Sequence, residues 1–366
     1  MAAVLKSSAL LRAPFTPWRS SADEGAMAVF ARLADAVGAP PTRLMADYAA
    51  LSLGPGRIGL SDYERLRLYD EPFWGDEDRR CVVGARRFRE LCLRANFRHD
   101  WLGFAGNRLV WQTYLAAHGL PVAPILAIYR DGLATPAANL LRSRGELREF
   151  LAAHARSPLV VRLAEGGRAR RLFESAQPDV DAEIDALAQA VADQPGVAWL
   201  IQPRLAPHAA IHAAMDGELA PVRLVTLAGD DGVRVFRAVW RLPGAKGALA
   251  ELDLKTGRAL RVAPADTPAL TRRAPAGLAV PDWAAIKAIA GEGARLLDAF
   301  GVIGWDIAPT TTGPVILGLT ATPDLDAVQL LERRGTLDVE FQTSLAERRR
   351  LAADLAHANA DGSFDG

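Results

Sequence analysis

Cysteine is nearly missing from this chain: there are two, Cys81 and Cys92, in 366 residues. Two thiols eleven positions apart are too few for a disulfide framework or a zinc site, so a reducing compartment is expected. Net charge is missing too. Acidic and basic residues balance at 43 each, which removes the field that draws a protein to nucleic acid or anionic lipid. With few aromatics interleaved among the basic residues, nucleic-acid binding has no footprint. No apolar run approaches the ~18 residues of a membrane span. The opening MAAVLKSSALLRAPFTPWRSS is broken by Arg12 and Pro14 and lacks the apolar centre of a secretion signal, so a cytoplasmic location is expected. Lysine is scarce as well, four against 39 arginines. Alongside abundant alanine, that bias points to a high-GC bacterial genome rather than a phosphate-binding surface. There are no internal repeats and no low-complexity linker.

What is present reads as α+β. Residues 24–50, DYERLRLYD (62–70) and RRFRELCLRANF (86–97) repeat apolar positions with helical period. NRLVWQTYLAAHGLPVAPILAIY (107–129) begins as a helix, stops at Gly119 and becomes extended after Pro121. A helix over Ser143–His154 precedes a change of texture. SPLVVRLAEGGRARRLF (157–173) reads as strand, glycine loop and strand, 179–193 as a helix, and VAWLIQPRL (197–205) as a strand. Gly-Asp-Asp-Gly joins two β-branched runs within 222–242, a hairpin signal. A second hairpin turns at Lys255-Thr-Gly257. An amphipathic helix spans 280–301 with Asp282 near its start. The stretch GWDIAPTTTGPVILGLTATPDLD (304–326) gives strand, turn and strand, and a helix with a polar tail ends the chain.

The ordered series YERLRLYD, NRLVWQTYLAAHGLPV, PLVVRLAEGGRARRLF, WLIQPRLAPHAAI, PVRLVTLAGDDGVRVFRAVWRLPG, VPDWAAI and GWDIAPTTTGPVILGLTATPDLD resembles the ATP-grasp superfamily. More narrowly it resembles the sugar-transfer-associated branch, over residues 62 to 329. The resemblance implies an ATP-grasp fold: two antiparallel sheets around a nucleotide cleft, with a helical N-terminal portion. The implied division is a helical region (1–106), an ATP-grasp domain (107–330) and a C-terminal helix and tail (331–366). Within the middle part it gives a cap and linker (107–156), a small nucleotide subdomain (157–205) and a large metal and phosphate subdomain (206–330). The implied activity is an ATP-dependent ligase of a bacterial biosynthetic or cell-surface polysaccharide pathway. It would activate a small-molecule carboxylate as an acyl phosphate for attack by an acceptor. The alternative is a catalytically degenerate fold that binds a ligand or a partner.

Residue by residue, the resemblance puts Arg108 and Arg162 where family lysines contact phosphates, and arginine keeps that charge with a bidentate fork. It places Gln202, Pro203, Arg204 and Leu205 on the strand that presents backbone to adenine. His208 matches a histidine near the nucleotide or acceptor. Arg223 matches an arginine facing the phosphates and, with Asp306, carries the catalytic role. The loop after Arg162, Ala-Glu-Gly-Gly-Arg, holds fewer glycines than the family's. Arg241 reads as an ion-pair partner, and Asp324 and Asp326 as a helix cap and its neighbour. Asp306 keeps the first ligand of the family's Mg²⁺ site. Gly318 and Thr320 stand where the site has Glu and Asn, two apart and hence on one strand face. Glycine offers no ligand and a threonine hydroxyl a weak neutral one, so a weak or absent second metal site is expected.

Overall fold

The structure, a computed structural model, describes residues 25–130, 140–165, 170–172, 179–192, 196, 198–212, 215, 217–243, 247–265, 271–274 and 277–360. Its contacts divide the chain into two units. One is drawn from Met1–His99, Pro207–Pro314 and Thr320–Gly366, the other from Asp100–Ala206 and Val315–Leu319.

In the first unit, helices α1 (Ala26–Val37), α2 (Pro41–Leu53) and α3 (Leu60–Arg65) enclose Val29, Phe30, Leu33, Tyr63 and Leu66 in a small core. Helix α4 (Ala85–Ala95) buries Phe88, Leu91, Cys92 and Ala95. That is the i, i+3, i+4, i+7 spacing which puts four side chains on one stripe.

The second unit holds a five-stranded sheet of order β2-β1-β5-β3-β4. Its strands are β1 (Ala127–Tyr129), β2 (Leu140–Leu141), β3 (Leu159–Leu163), β4 (Arg170–Leu172) and β5 (Trp199–Pro203). Three pairings are antiparallel, but β1 and β2 run parallel, which corrects the expectation of a wholly antiparallel sheet. A parallel pair needs a crossover rather than a hairpin, and the segment joining these strands, 131–139, lies outside the described residues. Helix α5 (Arg108–Ala117) is capped by Asn107, whose side chain accepts the Val110 amide. Helix α6 (Arg144–Ala153) is capped by Ser143, which accepts the Glu146 amide at 3.2 Å. With α7 (Val180–Ala192), α6 supplies Leu147, Leu151, Ile184 and Leu187 to a core against Leu159, Val161, Leu163 and Ile201. Each such fully buried side chain contributes about 1.5–3 kcal/mol.

A second sheet, of seven strands, has the order β10-β9-β8-β7-β6-β11-β12. Its strands are β6 (Val222–Gly229), β7 (Gly232–Leu242), β8 (Ala248–Leu252), β9 (Ala259–Pro264), β10 (Arg272–Arg273), β11 (Val302–Thr310) and β12 (Gly313–Thr320). Helix α8 (Trp283–Leu296) covers one face at β6, β7 and β11. Close approach there depends on Gly293, where an added Cβ would lie 2.6 Å from the Trp305 ring. On the other face α4, α9 (Asp326–Glu332) and α10 (Val339–Ala360) pack over Val225, Leu227, Phe236 and Val239.

Under α9 and α10 lies a buried charge network. Arg237 Nε stands 3.1 Å from Glu332 Oε2, and its Nη2 2.9 Å from Asp338 Oδ2. The guanidinium carbon also sits 4.1 Å from the Phe236 ring centre. Burial pushes the Glu332 carboxyl up to about 7, with Arg237 opposing and Glu251 adding to the shift. A raised carboxyl binds its proton more tightly folded than unfolded. Its stabilisation is therefore complete below its ordinary value and is lost as pH rises through about 7. Glu332→Gln should remove that slope. Wild type should lose denaturation midpoint relative to the variant between about pH 5 and pH 8. Parallel midpoints at both pH values would show that Glu332 does not titrate there.

Candidate functional site

On β6, Arg223 stands directly opposite Asp306 of β11 and Val239 of β7. The cross-strand pair forms a two-pronged ion pair, Nε to Oδ1 at 2.8 Å and Nη2 to Oδ2 at 2.6 Å. Both carboxylate oxygens are thus engaged by one planar fork, the strongest geometry open to this pair. Arg241, two residues beyond Val239, sits on the same face with Nη1 3.9 Å from Asp306 Oδ1. Burial, then the neighbouring Arg223 guanidinium, disfavours the Arg241 charge, while Asp306 and Asp324 favour it.

The hairpin carrying Asp306 keeps glycine where a side chain would collide. A Cβ at Gly304 would lie 2.9 Å from the Thr320 methyl and 2.7 Å from Pro323. Gly304 and Asp306 share a strand face, so Thr320 projects on the face of Asp306, as the spacing implies. Its hydroxyl accepts the Thr322 amide at 3.3 Å.

Among the described residues no group of three or more His, Cys, Asp or Glu could hold a metal ion. The residues at this hairpin do not fit a two-metal site. Asp306 is engaged by Arg223, Gly318 carries no donor and Thr320 carries a hydroxyl.

His208 lies at the start of a short helix, Ala209–His212. Its amide donates to Pro309 O at 3.1 Å and its Nδ1 accepts the Ala210 amide at 3.1 Å. Nδ1 as acceptor assigns the ring proton to Nε2, which is 3.8 Å from Asp282 Oδ2. Asp282 precedes α8 in the left-handed conformation, φ 53°, and caps it through no side-chain bond. The N-cap expectation for Asp282 therefore holds for position but not for bonding.

The remaining candidates lie in the second unit. Arg108 donates its amide to Ala164 O at 2.6 Å and its Nη1 to Leu163 O at 3.0 Å. That ties the helix start to the end of β3, beside Arg162. Arg162 pairs with Leu200 and Val160 with Gln202, so Arg162 and Gln202 share the sheet face opposite the core. Gln202 is buried, and its Nε2 donates to Gln112 Oε1 at 3.2 Å and Ala123 O at 3.0 Å. The Arg204 amide donates to Pro158 O at 2.9 Å, and Leu205 is half-buried. The glycine loop after Arg162 falls mostly on residues 166–169, outside the described residues.

Three side chains take roles that sequence reasoning did not give them. Arg241 and Asp324 line a pocket with Arg223. Asp326 pairs with Arg65 of α3, and burial pushes its carboxyl up to about 6 against that arginine. Asp324 Oδ1 accepts the Asp326 amide at 2.9 Å, but the N-cap position of α9 is Leu325 and no side chain caps it, which corrects the capping expectation for the two aspartates. No periodicity linked Asp326 to a residue 261 positions earlier.

Two sheets, one built from hairpins β6–β7, β8–β9 and β11–β12 with α8 on one face, define an ATP-grasp fold. Residues 182–343 match the model of the family of sugar-transfer associated ATP-grasp proteins. No curated protein matches the sequence. Among solved structures the chain is similar to the D-alanine–D-alanine ligase of Bacillus anthracis complexed with ATP, at 10% identity and a TM-score of 0.43, over 68% of each chain. It is also similar to the D-alanine–D-alanine ligase of Coxiella burnetii, at 13% identity and a TM-score of 0.44, over 71% of this chain and 62% of that one. A third is N5-carboxyaminoimidazole ribonucleotide synthetase from Thermotoga maritima, at 10% identity and a TM-score of 0.41, covering 73% and 56%. The chain spans less than two thirds of the latter two structures. Likenesses this distant carry no information about activity. No helix among the described residues is long and apolar enough to cross a membrane.

Proposed function

We propose that this protein is an ATP-grasp-type nucleotide-binding protein whose phosphate contacts come from arginine rather than from a two-metal site. The observation that carries this reading is the Arg223–Asp306 fork, partly buried on the sheet face. ATP carries the phosphates that such guanidiniums recognise. We assign Arg108 and Arg162, within 157–205 and its cap, to phosphate as well. The Arg204 amide is spent on Pro158 O, which leaves Leu205 as the hinge amide for adenine; Gln202 shapes that strand through its buried bonds. His208, oriented by the Ala210 amide, lies with the large subdomain, 206–330, on the acceptor side.

The ligase reading has ATP's γ-phosphoryl group pass to a small carboxylate and an acceptor displace phosphate from the acyl phosphate. It requires Asp306 to leave Arg223 for Mg²⁺. The occupied fork, with Gly318 and Thr320 beyond it, favours the second reading, a catalytically degenerate fold that binds nucleotide without turnover. Thermal melting with ATP and ADP, with and without Mg²⁺, separates them. Nucleotide should raise the wild-type melting temperature by nearly the same amount with and without Mg²⁺, and Arg223→Ala should lose that rise. A rise seen only with Mg²⁺, with ADP released on adding carboxylates, would establish the ligase. A rise that survives Arg223→Ala would place the phosphates elsewhere.

A further inference from the structure

We propose that the pocket between β7, β8 and the start of α9 binds a small organic anion with an apolar body, its charged head held by Arg241. The pocket has a volume of about 350 Å³, at the lower end of the range for small-molecule sites. Its floor and walls are Val239, Leu242, Ala248, Leu249, Ala327 and Val328. Two guanidiniums, Arg223 and Arg241, and the Asp324 carboxylate stand at its polar end.

These charges are not equally satisfied. Arg223 and Asp306 close on each other through two short bonds. Asp324 gives one oxygen to the Asp326 amide. Among the described residues Arg241 has a single ion pair, the long 3.9 Å contact to an oxygen already bonded to Arg223, and 43% of its side chain is exposed. A guanidinium has five donors in a fixed plane, and here burial and a second guanidinium both oppose its charge. An anionic oxygen pair at Arg241 would supply acceptors for the fork and relieve that repulsion. Behind the fork the wall is aliphatic, with alanines at 248 and 327 leaving the space, so the body that fits is apolar rather than a sugar or a polyphosphate. A carboxylate and a phosphate monoester share this head chemistry.

The inference deepens the functional reading above and rests on it only for naming the ligand a substrate; the binding itself is independent of nucleotide. The test uses the full chain without ATP, with hexanoate, hexyl phosphate, acetate and hexylamine as probes in thermal melting and calorimetric titration. Hexanoate or hexyl phosphate should raise the melting temperature, the stronger of the two identifying the head group, while acetate and hexylamine should have little effect. Arg241→Gln should weaken that binding at least about tenfold. Ala327→Leu, which fills the pocket without touching a charge, should abolish it. Binding unchanged in Arg241→Gln, an equal response to hexylamine, or no response to any probe would overturn the proposal. Loss of ATP binding with hexanoate binding intact would sink the nucleotide reading alone. The reverse would sink the pocket alone.

Discussion

Replacing Asn96 with Ala is expected to destabilise the protein by about 3–5 kcal/mol, since each buried polar group left without a partner costs about 1–3 kcal/mol. Asn96 ends α4 and is completely buried. Its Nδ2 donates to Val302 O at 3.0 Å and Ala321 O at 2.8 Å. Its Oδ1 accepts the Gly301 amide at 2.8 Å and the Val302 amide at 2.9 Å. Both donor protons and both acceptor sites of the side chain are thus used. The bonds tie the end of one helix to the entry of β11 and the exit of β12, the strands that carry Asp306 and Thr320. Alanine would strand four backbone groups at once. Asn96→Asp should fare no better: it keeps the two acceptor bonds but turns a charged oxygen toward two carbonyls. Denaturant midpoints measure both. A loss below about 1 kcal/mol for Asn96→Ala would mean that these groups find other partners.

Arg237→Ala should cost a comparable amount, about 3–5 kcal/mol, for a different reason. The arginine is almost fully buried, and removing it leaves the Glu332 carboxylate without its ion-pair partner and Asp338 with Arg334 alone. Part of the loss is then the cost of charge left in a poor solvent rather than the value of the pair itself. At about pH 9, above the raised value of the Glu332 carboxyl, Glu332→Gln placed in the Arg237→Ala background should therefore restore more stability than in the wild-type background, where Arg237 still pairs the carboxylate. The two substitutions are strongly non-additive on this account. Additive losses would show that Arg237 acts through its packing on Phe236 and not through charge.

Much of the fold was legible in the residues. The helical period of Phe88, Leu91, Cys92 and Ala95 places α4's buried stripe. Ser143 begins α6 because its side chain and the amide three residues on are complementary. Asp253 nucleates the β8–β9 turn by accepting the Lys255 amide at 2.8 Å, and Gly232, at φ 96°, closes the β6–β7 turn. All of these are interactions within a few residues, so local sequence suffices to specify them. The ordered motifs extend this to the family, since they carry the pattern of hairpins around one helix.

The site's composition was decided elsewhere. Counting outward from the turn pair Gly229–Gly232, Arg223 would pair with Ala238, and Arg241 would lie on the opposite face. Between Val225 and Thr226 the register shifts, and Arg223 meets Val239 instead. One extra residue on β7, Phe236, turns every later side chain to the other face. That brings Arg241 beside Asp306 and the Trp240 indole to the interior, where it donates to Ala220 O. Sequence by itself determined that Arg223, Arg241 and Asp306 lie on paired strands. Only the tertiary structure decided that all three share a face and that Arg223 occupies Asp306. A bulge is set by how Phe236 and Arg237 pack beneath α9 and α10, and no local pattern encodes that packing.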